Sequence, residues 1–414
     1  MAAASLGLVA GCGGGDEPLR VGVLVDCSGL LESSEQGELA GAELPFEQRD
    51  DAAGGRRVEI VKGCTEITSL TLTIARARSL IEEEGAEVVI GPSGEPEGVL
   101  MRRLAPRYPD VTFILSASVA QEATLRDSQP NVFRFVADGA QSAAGLGTYA
   151  YKDLGWRRAA VVFDYAPVSW DATAGFVAEF CSLGGEVKSQ GPLAPDAGNR
   201  ALAARLARGS DGVFLTTGFF GPTEFLGAYS RAVRHLPERL VMNGYGLSLP
   251  HALTPHGVDL SGVVLGGDIP QAAERPEWRR YLRAFANAYP ELPPSTARDQ
   301  IVVPYYVGAE GLARALERVD GDIGPGGRKL RAALARVEFQ GPMGPIRLDG
   351  NRQAVVSVHL RRLTIHGERV TTRPVRVVRG VNQGYDGIFT HHIPPPAAFE
   401  LRCEHGEPPA WARG

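Results

Sequence analysis

The sequence predicts an α/β protein of two doubly wound parallel-sheet lobes, with an antiparallel hairpin near the C-terminus. Three observations carry this. Short β-rich runs alternate with amphipathic stretches, the alternation comes in two successive series, and after Gly344 it gives way to strands separated by turn residues. Strands alternating with helices make βαβ units, which assemble into parallel sheets covered on both faces.

In the first series, residues 19–26, 57–63, 86–91 and 111–116 are strand-like runs bounded by Gly, Pro or polar residues. Residues 35–52, 67–84 and 97–108 carry helical periodicity between them, and Gly85 stops the second helix. Pro45 lies inside the first and is expected to kink it. In the second series, strands are expected at 159–163, 186–189, 212–217, 240–243 and 263–267, and helices at 141–153, 169–183, 200–208 and 223–235. Three more helices follow at 278–289, 303–319 and 327–337. Residues 345–348, 354–363 and 370–379 then read as an antiparallel hairpin turning at Asp349-Gly350-Asn351. The Pro-rich tail, 393–414, is expected to be irregular. Ligands bind beyond the carboxyl ends of the strands in such sheets, so the loops there are the place to look.

Composition excludes several classes of function. The 414 residues, 44% of them hydrophobic, are enough for two or three domains. The formal charge is -5 from 43 basic and 48 acidic residues, with no basic stripe interleaved with aromatics, so nucleic acid is not an expected partner. No apolar run approaches the ~18 residues of a membrane-spanning helix.

Enzymatic motifs fail on inspection. Gly91-Pro92-Ser93-Gly94 is not a nucleophile elbow, because Glu95 stands where the last glycine is needed. There is no phosphate-binding loop and no dinucleotide fingerprint. His251 with His256, and His391 with His392, lack metal-ligand spacing, while His235 ends a helix as a surface cap would. No catalytic residue, metal or cofactor is expected, and Glu82-Glu83-Glu84 reads as a solvated helix face.

Leu8-Val9-Ala10-Gly11-Cys12, followed by a polar Gly tether, resembles a bacterial lipobox, in which the cysteine is lipidated after cleavage ahead of it. No Lys or Arg precedes the apolar run, a departure that a start assigned too late would explain. With Cys12 assigned to lipid, Cys27, Cys64, Cys181 and Cys403 remain, an even number that suits an oxidising compartment. Cys27 and Cys64 follow strands that would lie side by side, close enough to bridge or to remain two buried thiols. Cys181 with Cys403 is the leftover pairing.

The order of several loop motifs carries a wider resemblance. Residues 19–25 with Asp26-Cys27-Ser28-Gly29, the turn at 50–55, Val88-Val89-Ile90-Gly91-Pro92, Ser116-Ala117-Ser118, Val132-Phe133-Arg134 with Asp138, Val161-Val162-Phe163-Asp164 and the 341–349 segment occur in sequence. Together they resemble the type I periplasmic solute-binding proteins, specifically the branched-chain amino-acid binding family of ABC importers. The resemblance covers roughly 19–365 and implies two lobes joined by three hinge crossovers, near Asp138, 266–268 and 340–344. The implied organisation is 1–11 processing segment, 12–18 tether, 19–137 plus 268–339 first lobe, 138–267 plus 340–392 second lobe, and 393–414 tail.

In that family a hydroxyl after the third strand and a Thr-bearing turn hold an amino acid's carboxylate, and acidic groups meet its ammonium. Here the hydroxyl position falls at Gly94 or Glu95, with Ser93 two residues early. The Thr position falls on Ala120, leaving backbone amides around Ser118 for an anion. Asp138 keeps an acidic crossover position, where it also suits a helix N-cap. Tyr245 replaces a family Glu, Phe219 and Phe220 supply an aromatic pair, and Trp170 or Val168 stands where the family has Tyr. A zwitterion head needs donors and acceptors that this set has thinned, so an aromatic or cationic solute fits better than a plain branched-chain amino acid. The resemblance implies a lipid-anchored, extracytoplasmic, monomeric protein that delivers a small molecule to ABC permease subunits and touches the membrane only through its anchor. A ligand sensor for a signalling partner is the second expectation, and a two-lobed enzyme the last.

Overall fold

β1 (Leu19–Asp26) is apolar on both faces and buried at every position except Arg20, as a central strand of a covered sheet must be. The computed structural model describes residues 17–164, 166–193, 198–218, 222–244, 258–270, 275–366, 369–390 and 403–414. Around β1 lies a sheet with β2 (Ala52–Ala53), β3 (Arg56–Thr65), β4 (Val88–Ile90), β5 (Thr112–Leu115) and β6 (Val132–Arg134), in the order β2-β3-β1-β4-β5-β6. All its pairings are parallel except the short β2–β3 one.

The second sheet contains β7 (Arg158–Phe163), β8 (Glu186–Pro192), β9 (Gly212–Thr216), β10 (Leu240–Asn243) and β11 (Val264–Gly266), paired in parallel in the order β8-β7-β9-β10-β11. β1 therefore lies between β3 and β4, and β7 between β8 and β9, so the chain reverses direction of travel at β1/β4 and again at β7/β9. Those are the switch points at which open α/β sheets bind ligands.

The chain passes between the sheets three times. It leaves the first after β6, and it returns after β11 with helices Pro276–Ala288, Val302–Arg318 and Arg328–Leu334 stacked on the first lobe. It re-enters the second sheet through β12 (Glu338–Gly341), β13 (Gly344–Leu348), β14 (Ala354–His366) and β15 (Arg369–Val381). Gly41 permits one of these packings: a Cβ there would lie 2.8 Å from the Val302 carbonyl oxygen, so helix Glu35–Glu47 approaches its neighbour as only glycine allows.

Several local expectations are corrected. The helix expected over 35–52 ends at Glu47, two residues beyond Pro45, which lies inside it. The helix expected over 141–153 is broken into Gly139–Ser142, Leu146–Thr148 and a wide turn over Tyr149–Asp153. Gly145 makes the break, with φ of +85° and Val378 only 2.4 Å from where a Cβ would stand. The amides freed there donate to the buried Glu179 carboxylate, Gly145 N at 2.7 Å and Thr148 N at 2.8 Å. An acid from another helix thus does the work of the missing turn. β12 was not anticipated; β12–β13, β13–β14 and β14–β15 are all antiparallel, and β14 joins the sheet against β11.

The end of the tail is ordered against the second lobe. Cys403 is disulfide-bonded to Cys181, and Trp411 in the short helix Ala410–Arg413 meets the Tyr385 ring edge-on at 5.1 Å. Cys27 and Cys64 form the other disulfide, at the ends of β1 and β3, where parallel register sets Val25 opposite Cys64. Among the described residues no helix is long and apolar enough to cross a membrane.

Candidate functional site

At the first switch point the loops after β1 and β4 hold a buried set of carboxyl groups. Asp26 ends β1, and its amide donates to Glu38 Oε2 at 2.9 Å. Ser93 donates to Glu38 Oε1 at 3.0 Å and lies 3.0 Å from the Tyr305 hydroxyl, which itself donates to the Leu24 carbonyl at 2.5 Å. Burial, reinforced by the Asp26 charge, pushes Glu38 up to about 8. Ser93 is therefore committed within the first lobe, organising this carboxyl group.

Glu95 opens helix Glu95–Leu104, capped by Gly94, whose amide donates to Glu97 Oε2 at 2.9 Å. A helix N-terminus favours a charged carboxylate, yet Glu95 is 3% exposed and its Oε2 has no hydrogen-bond partner. Burial wins: its pKa is pushed up to about 8, with the charges of Asp171, Asp164 and Glu97 acting in the same direction. A carboxyl group in that state is neutral near pH 7 and offers a proton to a ligand acceptor, or ionises against a cation.

Asp164 and Asp171 come from the second switch point. Asp164 follows β7 and accepts from Ala166 N at 3.1 Å, Ser169 Oγ at 2.5 Å and Gly218 N at 2.9 Å, so it shapes the loop. Asp171, in helix Pro167–Ser182, reaches across to the first lobe and accepts the Gln121 amide at 2.8 Å. Burial pushes Asp171 up to about 7, with the Asp138 charge adding to the effect. Beside this polar link lies an apolar one, where Val119 packs with Ala166 and Val168.

The turn after β5, expected to bind an anion through amides near Ser118, is differently used. Gln121 N already holds Asp171. The carbonyls of Ser118 and Ala120 accept from Arg134 Nη1 at 3.1 and 2.7 Å. The Ser118 hydroxyl makes only a long 3.5 Å bond to the Glu95 carbonyl. Asp138 caps helix Gly139–Ser142, accepting from Gln141 N at 2.7 Å and Gln383 Nε2 at 2.8 Å, and lies 3.9 Å from Arg134. Both its oxygens are engaged by the protein.

Trp170 is half-buried and meets Phe163 edge-on at 5.5 Å within the second lobe. Phe219, Phe220 and Tyr245 lie outside the described residues, as do Cys12, His251, His256, His391 and His392. The structure thus gathers Glu95 with Asp164 and Asp171, and turns Ser93, Ser118 and Asp138 to internal bonds. Sequence reasoning missed Gln121 and Asp171. The one available signal was an acid in the first turns of a helix whose surrounding residues, Val168, Ala172 and Phe176, are core-forming. At the hinge, Asp268 accepts the Ala137 amide at 3.1 Å and so ties the second crossing of the chain to the first.

The profile of a family described as periplasmic binding protein matches residues 18–367. No curated protein sequence matches the chain. Among solved structures, an ABC transporter substrate-binding protein from Sphaerobacter thermophilus is 24% identical with a TM-score of 0.77, over 89% of this chain and 99% of its own. An R. palustris ABC-transporter solute-binding protein in complex with benzoate is 24% identical with a TM-score of 0.70, over 86% and 96%. A leucine binding protein from Thermotoga maritima is 20% identical with a TM-score of 0.70, over 87% and 99%.

Proposed function

The chain belongs to the periplasmic binding protein family, and we propose that it is the extracytoplasmic substrate-binding component of an ABC importer, anchored through a lipid on Cys12. It captures a small organic solute between its lobes and performs no chemistry on it. Residues 19–137 with 268–339, and 138–267 with 340–392, are the two closing bodies.

The observation that carries the reading is the meeting of Glu95, Asp164 and Asp171 where the two switch points face each other. Bonds such as Gln121–Asp171 would be remade each time the lobes close on a solute. A solute with an apolar or aromatic body and an amine, amide or hydroxyl donor suits this acid-lined, largely desolvated region. The leucine and benzoate relatives bracket that choice, and the loss of free donors in the turn after β5 argues against a plain branched-chain amino acid.

The test is calorimetry and thermal shift with 4-hydroxybenzoate, 4-aminobenzoate, benzamide, benzylamine and leucine. Tight binding of a donor-bearing aromatic, weakened about tenfold or more by Glu95→Ala, is the expected result. Tight leucine binding indifferent to Glu95→Ala would overturn the proposed ligand class. For the anchor, Cys12→Ala should move the protein from the membrane to the soluble fraction of its native host.

A further inference from the structure

Two buried arginines differ sharply in how they are satisfied. Arg134 spends its donors on Gln353 Oε1 at 2.6 Å, the Ser118 and Ala120 carbonyls, and Thr124 Oγ1 at 2.7 Å. Arg361, on β14 opposite Leu265 of β11, is 4% exposed, and among the described residues its Nε and Nη1 have no hydrogen-bond partner. Burial lowers its pKa to about 10, and among the described residues the charge opposing that is Asp268. Asp268 has given one oxygen to the Ala137 amide, and no ion pair joins it to Arg361 among the described residues. A buried guanidinium left in that state is costly, and a fold retains it where something else completes it.

The surroundings make room for such a partner. A Cβ on Gly244 would lie 3.2 Å from Arg361 Nη2, and one on Gly267 would lie 3.5 Å away. Beside the guanidinium is a cavity of ≈ 20 Å³ lined by Ser142, Gly244, Gly267, Asp268, Ile269 and Gln300. That volume admits one water-sized group, which is the size of a carboxylate oxygen. Gly244 and Gly267 follow β10 and β11 directly, so the cavity opens at the carboxyl edge of the second sheet, beside the hinge. Meanwhile the turn after β5 has surrendered its Gln121 amide to Asp171, which removes one place where a ligand anion could sit.

We infer that Arg361 is the anion-holding residue of the cleft, and that the solute carries a carboxylate seated at the hinge beside Gly244 and Gly267. The inference rests on the solute-binding reading above and adds the second pole of the ligand. The donor end faces Glu95, and the acid end faces Arg361. Binding then gives the guanidinium a charged acceptor beside the hinge, where Gly267 and Asp268 follow β11.

The experiment compares wild type, Arg361→Met and Gly267→Val for ligand-free melting temperature and for calorimetric affinity toward 4-hydroxybenzoate, 4-aminobenzoate, benzamide and benzylamine. Arg361→Met should lose about 10- to 100-fold in carboxylate affinity, with benzamide and benzylamine unchanged. It should also melt higher than wild type without ligand, since an unpaired buried charge has been removed. Gly267→Val keeps the charge but fills the cavity, and should weaken the carboxylates selectively. Full carboxylate affinity in Arg361→Met, or a lower ligand-free melting temperature, overturns the inference. Binding confined to benzamide and benzylamine overturns it too, while the solute-binding reading stands. No binding by any probe, with leucine also inert, counts against both.

Discussion

The amide of Gln121, in the first lobe, donates to the Asp171 carboxyl group of the second at 2.8 Å, one of the hydrogen bonds that join the lobes. Its neighbours are apolar on one side, Val119 against Val168, and acidic on the other, Glu95. Such a bond is worth about 0.5–1.5 kcal/mol with the acid neutral and about 1.5–3 kcal/mol with it ionised. Asp171→Ala should therefore shift the ligand-free protein toward an open form, read as an increased radius of gyration by small-angle scattering. Asp171→Asn keeps an acceptor oxygen and should restore most of the closed population. Equal radii for all three proteins would remove Asp171 from any role in closure.

Stability should fall as pH rises from the acid side up to about 8. Burial raises Glu38 and Glu95 to about 8, and Glu97 and Asp171 to about 7. The folded protein therefore holds protons that the unfolded chain has already released, and stability is lost as pH climbs from the ordinary carboxylate range up to those values. His359 acts in the opposite sense, since burial lowers it from 6.5 to about 4, but its effect is confined to that lower window. Melting temperatures should decline from about pH 5 to about pH 8 and level off above it, and Glu95→Gln should flatten the decline and melt higher than wild type at neutral pH. A flat wild-type profile would contradict the assignment.

Arg134 is a structural cation, and its removal should be severe. Arg134→Met leaves the Ser118 and Ala120 carbonyls without their donor and Asp138 without the positive charge at 3.9 Å. Breaking a buried pair in this way costs about 3–5 kcal/mol. Urea denaturation followed by circular dichroism reads the loss. Arg361→Met serves as the contrasting variant, because the two substitutions should move ligand-free stability in opposite directions.

Gly98 sets the closeness of helix Glu95–Leu104 to the turn after β5. A Cβ there would lie 1.9 Å from Ser118 Oγ and 2.7 Å from its Cβ. Gly98→Ala should destabilise by about 1–3 kcal/mol through overpacking. Adding Ser118→Ala relieves the first clash and not the second, so the double variant should recover only part of the loss in thermal melts.

The Cys181–Cys403 disulfide closes a separation of 222 residues and holds the tail against the second lobe. Cys403→Ser should lower stability by about 2–4 kcal/mol and open residues 403–414 to limited proteolysis. An unchanged digestion pattern would mean that Trp411 and its contact with Tyr385 suffice to hold the tail.

Much of the fold was legible because periodicity is a local property. β1, with seven of its eight residues buried, announces itself as a covered strand, and the 57–63 run within β3 as a strand by its β-branched and alternating residues. The break at Gly145 did not, because the group that repairs it is Glu179, more than thirty residues away in another helix. The end of the tail was equally hidden, since its order depends on Cys181 and Tyr385 and not on its own Pro-rich composition. Among the site residues, Glu95 could be named from its place after a strand. Ser93 and Asp138 were also visible, but what they bond to was not.

Sequence alone determined the succession of strands and helices, the two series, and the loops from which a site is built. Each follows from which side chains can face a core at period 2 or 3.6. Only the tertiary structure decided which of those loops meet, that Asp171 takes the Gln121 amide, that Asp138 also accepts from Gln383, and that Arg361 is buried with no hydrogen-bond partner at Nε and Nη1 among the described residues. The physical reason is desolvation. A carboxyl or guanidinium group has the same chemistry everywhere in the chain, and its charge state and availability are set by what the packed structure puts around it.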